Sequence, residues 1–268
     1  MNIYDFGPIA ATLDAAYAVL HNLTLFLTPF ASANAAALAV VLLTLTLRLM
    51  LIPVGVSQAR AQRMRQRLAP HLAALRLKHG KDPQRLQRET MALYAAENAS
   101  PMAGCLPLLV QTPVVSIVYG LFALGTINGH PNELLDGGLF GSPLGTSVLV
   151  GWGTGPTLPM VLVGGGLLLI LLVAQLLSRR LMLAQGATTG TALLPAPPSA
   201  PQTTAPPAPG ALSPAAQASM TRVLSWLPLI SVLFAAFVPL AAALYLTVSA
   251  VWSVAERALL WRLLRPAR

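Results

Sequence analysis

Charge is what this sequence has least of. Asp, Glu, Lys and Arg together make up 9% of its 268 residues, against about 25% in ordinary soluble domains. The apolar share is 55% and the mean hydropathy +0.67, so a single soluble globular domain does not fit. Cysteine is nearly absent. With Cys105 alone there is no intramolecular disulfide and no four-cysteine metal site, and His21, His71, His79 and His130 lack metal-ligand spacing. No cofactor is expected. The net charge of +9 raises nucleic-acid binding, but that needs basic residues spread over a solvated surface. Most of the chain has none to spread, and no specific DNA binding is expected.

What the sequence does contain is long apolar runs. A bilayer core about 30 Å thick requires about 20 apolar residues in a helix. The first run, 33–56, holds one charge, Arg48. The second lies in 100–126 and is uncharged from Cys105 to Thr126, and the third, 156–177, carries Gly164-Gly165-Gly166, which lets another backbone come close. The stretch from Val223 to Ala255 is too long for one crossing, and Pro239 interrupts its hydrogen-bond ladder. It reads as a fourth span, 223–238, and a fifth, 239–256, with one long kinked helix as the rival. Residues 1–32 form an N-terminal extracytoplasmic element. Its Ile9, Leu13, Ala16, Leu20, Leu23 and Leu27 recur every three or four positions, which suits an amphipathic interfacial helix. A sixth span is the alternative there, and no cleaved secretory signal is indicated.

Basic residues orient these spans. Sixteen of the 17 Lys and Arg residues fall in 57–99, 178–222 and 257–268, which the positive-inside rule assigns to the cytoplasm. The segment 127–155 has Glu133 and Asp136 but no Lys or Arg, as expected of the opposite side. The fold class is therefore an all-α integral membrane protein of five transmembrane helices, N-terminus outside and C-terminus in the cytoplasm. The plasma membrane of a bacterium is its expected location.

The basic segment 57–99 has helical periodicity in both halves, around a turn with Gly80, Asp82 and Pro83 as helix stop, N-cap and first helical residue. It reads as an antiparallel helical hairpin, kinked at Pro70. Its Arg60, Arg63, Arg65, Arg67, Lys78 and Lys81 are either a solvated face near anionic headgroups or a docking surface for an acidic partner. Residues 178–222 are crowded with Pro, Ala, Thr and Ser and read as a cytoplasmic linker.

Arg48 stands about 12 Å from the cytoplasmic end of its span at helical rise, deeper than an arginine fully snorkels. No Asp or Glu occurs in the later spans before Glu256. Without a counter-ion, water must reach Arg48, either by deep snorkelling through a thinned membrane or in a pocket open to the cytoplasm. Thr44, Gln111 and Tyr245 are candidate lining residues. Interhelical hydrogen bonding is the ordinary role for such polar side chains.

Several stretches resemble the YidC/Oxa/Alb family of membrane protein insertases. Leu45 to Pro53 followed by Ser57-Gln58 looks like the first core span of that family. Ser100-Pro101 with Gly104-Cys105-Leu106-Pro107-Leu108-Leu109-Val110-Gln111-Thr112-Pro113 looks like its most recognisable block, and Phe237-Val238-Pro239-Leu240 with Leu244-Tyr245 like its closing hairpin. Leu246 departs from the pattern, since many members carry Trp there. The resemblance implies a short form that helps hydrophobic segments of new proteins enter the bilayer through a hydrophilic groove open to the cytoplasm, without covalent chemistry. Arg48 would be the groove cation, with Gln111, Thr44 and Tyr245 beside it. Nascent membrane proteins and lipids would be the partners, with the ribosome and a Sec-type translocon as further candidates. A small transporter or channel remains the alternative, and a lipid-headgroup enzyme would need a nucleophile or metal cluster that the sequence does not offer.

Overall fold

The computed structural model describes residues 7–79, 82–97, 116–153, 155, 157–186 and 226–263. In chain order its helices are α1 (Gly7–Ala31), α2 (Ala35–Met50), α3 (Ile52–His79), α4 (Pro83–Ala96), α5 (116–123), α6 (Val148–Gly153), α7 (Leu158–Gly186), α8 (Leu227–Phe237) and α9 (Leu240–Leu263). Two-residue strands β1 (Thr126–Ile127) and β2 (His130–Pro131) form one antiparallel hairpin, and β3 (Gly138–Leu139) and β4 (Ser142–Pro143) another. Three helical stretches are long and apolar enough to cross a membrane: Gly7–Met50, Leu158–Leu183 and Leu240–Leu263. The protein is a mostly helical, all-α membrane protein.

Several boundaries differ from the sequence reading, each for a local reason. The first apolar run was expected to continue to residue 56, but α2 stops at Met50. Pro53 has no N–H to give the Leu49 carbonyl, and the chain turns at Leu51, whose N–H still reaches the Leu47 carbonyl at 3.1 Å. α3 runs through Pro70 without a break in its assignment. α7 does not stop at residue 177. Leu, Met, Ala and Gln extend it past Arg179 and Arg180 to Gly186, so the first residues assigned to the linker are helical. The rest of the Pro-rich stretch lies outside the described residues. α9 similarly carries the expected tail to Leu263. The 127–155 segment is more than a loop, holding both β-hairpins, a 3-10 turn at Glu133–Leu135 and α6.

Contacts divide the chain into two units. The first contains α1, α2, α5, α6, most of α7, α8 and most of α9. Its core joins Leu13, Leu20 and Leu27 of α1 to Ala35–Ala37, Ala39 and Val40 of α2, Phe122 of α5, Leu171 of α7 and Ala241–Tyr245 of α9. Leu13, Leu20 and Leu27 recur every seven residues and so share one helix face. The alanines of α2 and α9 let backbones approach where larger side chains would hold them apart. Gly137 has the same use, since a Cβ there would lie 2.5 Å from the Ala36 Cβ.

α9 begins at a helix end whose first N–H groups would otherwise be unpaired. The Leu240 and Ala241 N–H groups donate to the carbonyls of Thr146 and Leu144 at 2.9 and 3.0 Å, and Pro239 bridges to Ser147. The break at Pro239 is thus tied down by the segment that follows β4.

The second unit contains α3 from Pro53, α4, the C-terminal turns of α7 and the last residues of α9. The Asp82 side chain accepts the Arg85 N–H at 3.0 Å, with Pro83 opening α4, as the turn sequence predicts. His71, Leu75 and Lys78 of α3 line a shallow groove with Glu89, Leu93 and Ala96 of α4.

Candidate functional site

Arg48 lies near the end of α2 and is half-buried. The ion pairs among the described residues are His21–Glu133 and His130–Asp14, so no described carboxylate neutralises Arg48. Helix α2 is otherwise uncharged. Among the described residues the guanidinium is therefore an uncompensated cation on an apolar helix, at a cost of several kcal/mol if lipid surrounded it.

Thr44 stands one turn before Arg48. It is 2% exposed, and its hydroxyl donates to the Val40 carbonyl at 2.6 Å. Tyr245 is 7% exposed, in the core of the first unit, with its ring 6.4 Å from that of Phe122. Thr12, Thr24, Thr28 and Thr46 also return their hydroxyls to the carbonyl four residues back, which satisfies each group without a second helix, and Thr247 does the same while also reaching the Leu167 carbonyl of α7 at 3.5 Å. Gln111 lies outside the described residues. Gln175 donates to Ser231 at 2.8 Å and so links α7 to α8. It is a helix-helix contact of the kind ordinarily found in membranes.

Among the basic residues of the second unit, Arg60, Arg67 and Lys78 are exposed. Arg63 differs from them. Its Nη2 donates to the Trp261 carbonyl at 3.3 Å, on the last turn of α9, where carbonyls have no partner within their own helix. Lys81 and the side chain of Arg65 lie outside the described residues. Arg179 stacks on Trp226, 4.2 Å from the ring centre, so aromatic contact holds part of the basic charge.

Sequence reasoning missed the polar contacts of the 126–136 segment. Asn132 is 4% exposed and donates from one amide nitrogen to the carbonyls of Leu121 and Leu124, at 2.8 and 2.9 Å, closing the end of α5. Spacing along the sequence carries no signal for this cap, which joins residues 8 and 11 positions apart. Asp14 and His21 of α1 face His130 and Glu133 in turn.

The family model for the 60Kd inner membrane protein matches residues 27–265. A "Membrane protein insertase YidC" of Clostridium perfringens is 42% identical over 57 residues, 21% of this chain and 24% of that protein. Proteins with the same name from Caulobacter vibrioides and Dechloromonas aromatica are 46% identical over 54 residues and 50% identical over 52. These two matches cover 20% and 19% of this chain, and 9% and 10% of the relatives. The aligned stretches thus span a quarter or less of the relatives' own length. The family match, by contrast, takes in α2, Arg48 and every later helix, and on that extent the chain belongs to the 60Kd inner membrane protein family, the YidC/Oxa family of the insertases.

Proposed function

We propose that this protein is a membrane insertase that lets polar flanks of nascent membrane proteins pass partway into the bilayer. The observation that carries the reading is Arg48, a cation on an otherwise uncharged helix with no carboxylate partner among the described residues. In the proposed mechanism water reaches Arg48 through a groove open to the cytoplasm. A hydrophilic substrate segment enters that wet region, which lowers its desolvation cost, while its apolar part stays against lipid. Gln111 is a secondary groove residue, while Thr44 and Tyr245, both buried, belong to the groove wall and not to the polar surface that substrate meets. Family membership supports the same activity, since the relatives carry the name insertase.

The topology that serves this mechanism has five crossings, with the N-terminus outside and the C-terminus inside. α3 and α4 form a cytoplasmic hairpin that meets the ribosome or a Sec-type translocon through its exposed basic residues. α1 lies in the outer interface instead of crossing. Ala10, Asp14 and His21 meet Asn128, His130 and Glu133 in turn, and Asn34, just past α1, meets Phe140. From Ala10 to Asn34 is about 36 Å at helical rise. One extracytoplasmic segment follows α1 over that length, as it would along a helix lying on its own side of the membrane.

The test is reconstitution in liposomes with a short single-span substrate, scored by protease protection. Wild type should protect the substrate, and Arg48→Ala should slow insertion about tenfold or more, a barrier increase of about 1.4 kcal/mol. No protection by wild type would refute the insertase reading. Full-rate insertion by Arg48→Ala would remove the role given to the cation.

A further inference from the structure

The segment between α5 and α7 contains two hairpins whose turns share one backbone conformation. Asn128 and Gly129 have φ of 46° and 86°, and Phe140 and Gly141 have φ of 48° and 84°. Two-residue turns with positive φ at both positions favour Asn-Gly, because Asn tolerates the left-handed region and glycine has no Cβ to clash. The first hairpin carries that pair. The second puts Phe where Asn is favoured, and a bulky residue at positive φ is a strained exception.

No contact of the ring offsets that strain among the described residues. Phe140 is 71% exposed and takes part in none of their ring contacts. The turn is held instead by groups that any residue at this position would leave in place. The Phe140 N–H donates to Asn34 Oδ1 at 2.6 Å, and a Cβ on Gly141 would lie 3.7 Å from the Pro159 ring. Those two neighbours fix where the tip stands. Asn34 directly precedes α2 and Pro159 is near the start of α7, and both helices belong to stretches long and apolar enough to cross a membrane. Leu158, which opens α7, is itself 72% exposed. An exposed aromatic ring at the level where two such helices enter the bilayer meets the membrane interface.

We propose that Phe140 is a lipid anchor, a hairpin tip that dips its ring into the leaflet at which α2 and α7 begin. Transfer of the ring out of water offsets the strain of the turn. Asn128, exposed and polar on the same backbone, marks the turn that stays in water. Because the Phe140 amide is bonded to the corner that opens α2, the anchor also fixes the level at which that helix enters. Arg48 stands about 21 Å beyond Asn34 at helical rise.

Tryptophan emission from Phe140→Trp and Asn128→Trp tests the anchor, each in the full chain in phosphatidylcholine liposomes, with the wild-type emission of its 4 native tryptophans subtracted. Lipid brominated on its acyl chains should quench the emission added at position 140 about twofold or more and leave that at position 128 nearly unchanged, as for a group at the boundary of headgroups and acyl chains. Aqueous iodide should do the reverse. Equal responses at the two positions, or stronger iodide quenching at 140, overturn the anchor. A nitroxide on Phe140→Cys, in a Cys105→Ser background, tests the same point with a smaller residue in the strained turn. Its arm reaches outward as the ring does, whereas the bare thiol stops beside the turn in headgroup water. The nitroxide should be more open to dissolved oxygen than to a water-soluble nickel chelate, and the opposite order overturns the proposal.

Discussion

A cation on an apolar helix is justified by what it does or by what it holds, and Arg48 holds nothing among the described residues. If its role is functional, stability and activity should separate on substitution. Arg48→Leu is expected to raise thermal stability in lipid nanodiscs by about 1–2 kcal/mol, because the desolvation cost disappears, while insertion slows as in Arg48→Ala. A loss of stability instead would assign Arg48 to the architecture. Thr44 provides the control one turn away. Its hydroxyl serves its own helix through Val40, so Thr44→Val should leave the insertion rate within about twofold of wild type, a barrier change of about 0.4 kcal/mol. A larger loss would mean that the hydroxyl meets substrate or groove water. Arg48 was legible as an exception in a sequence otherwise free of membrane-embedded charge. The bond that occupies Thr44 was not, since residue spacing says nothing about which carbonyl a threonine chooses.

At the scale of elements, the extracytoplasmic segment is held by a few polar contacts and one close approach. Asn132 closes α5 with two hydrogen bonds, so Asn132→Ala should destabilise the protein by about 1–3 kcal/mol, the cost of leaving buried carbonyls unpaired. Thermal unfolding in detergent measures this, and an unchanged midpoint would mean that water replaces the amide. Gly137→Ala would bring a methyl against Ala36 and should cost about 1–3 kcal/mol through overpacking. Circular dichroism melting checks it, with the Gly165→Ala variant as control, since a Cβ at Gly165 meets nothing within 4 Å. The hydropathy profile marked the apolar runs themselves. Helix ends do not coincide with the limits of those runs: α2 ends at Met50, ahead of Pro53, and helix-forming residues carry α7 to Gly186. Helix ends depend on single donors and acceptors, which a window average does not resolve.

For the whole molecule, the proposed orientation predicts which surfaces an impermeant reagent reaches. Phe140 is 71% exposed in the 127–155 segment and Lys78 is exposed on α3. In intact cells, with Cys105→Ser as background, Phe140→Cys should react with a membrane-impermeant maleimide and Lys78→Cys only after lysis. The reverse pattern would invert the topology. The sequence by itself determined membrane residence, the basic segments and the isolation of Arg48, because these follow from composition and spacing against a solvent that rejects charge. Only the tertiary structure decided that Arg63 caps α9, that carbonyls of the 144–146 stretch hold its first turn, and that the polar residues of α1 face His130 and Glu133. Each of these contacts joins residues from about 95 to 198 positions apart. The physical reason is that hydropathy acts on each segment alone, whereas a hydrogen bond or charge pair needs two distant segments placed within a few ångströms, and packing does that placing.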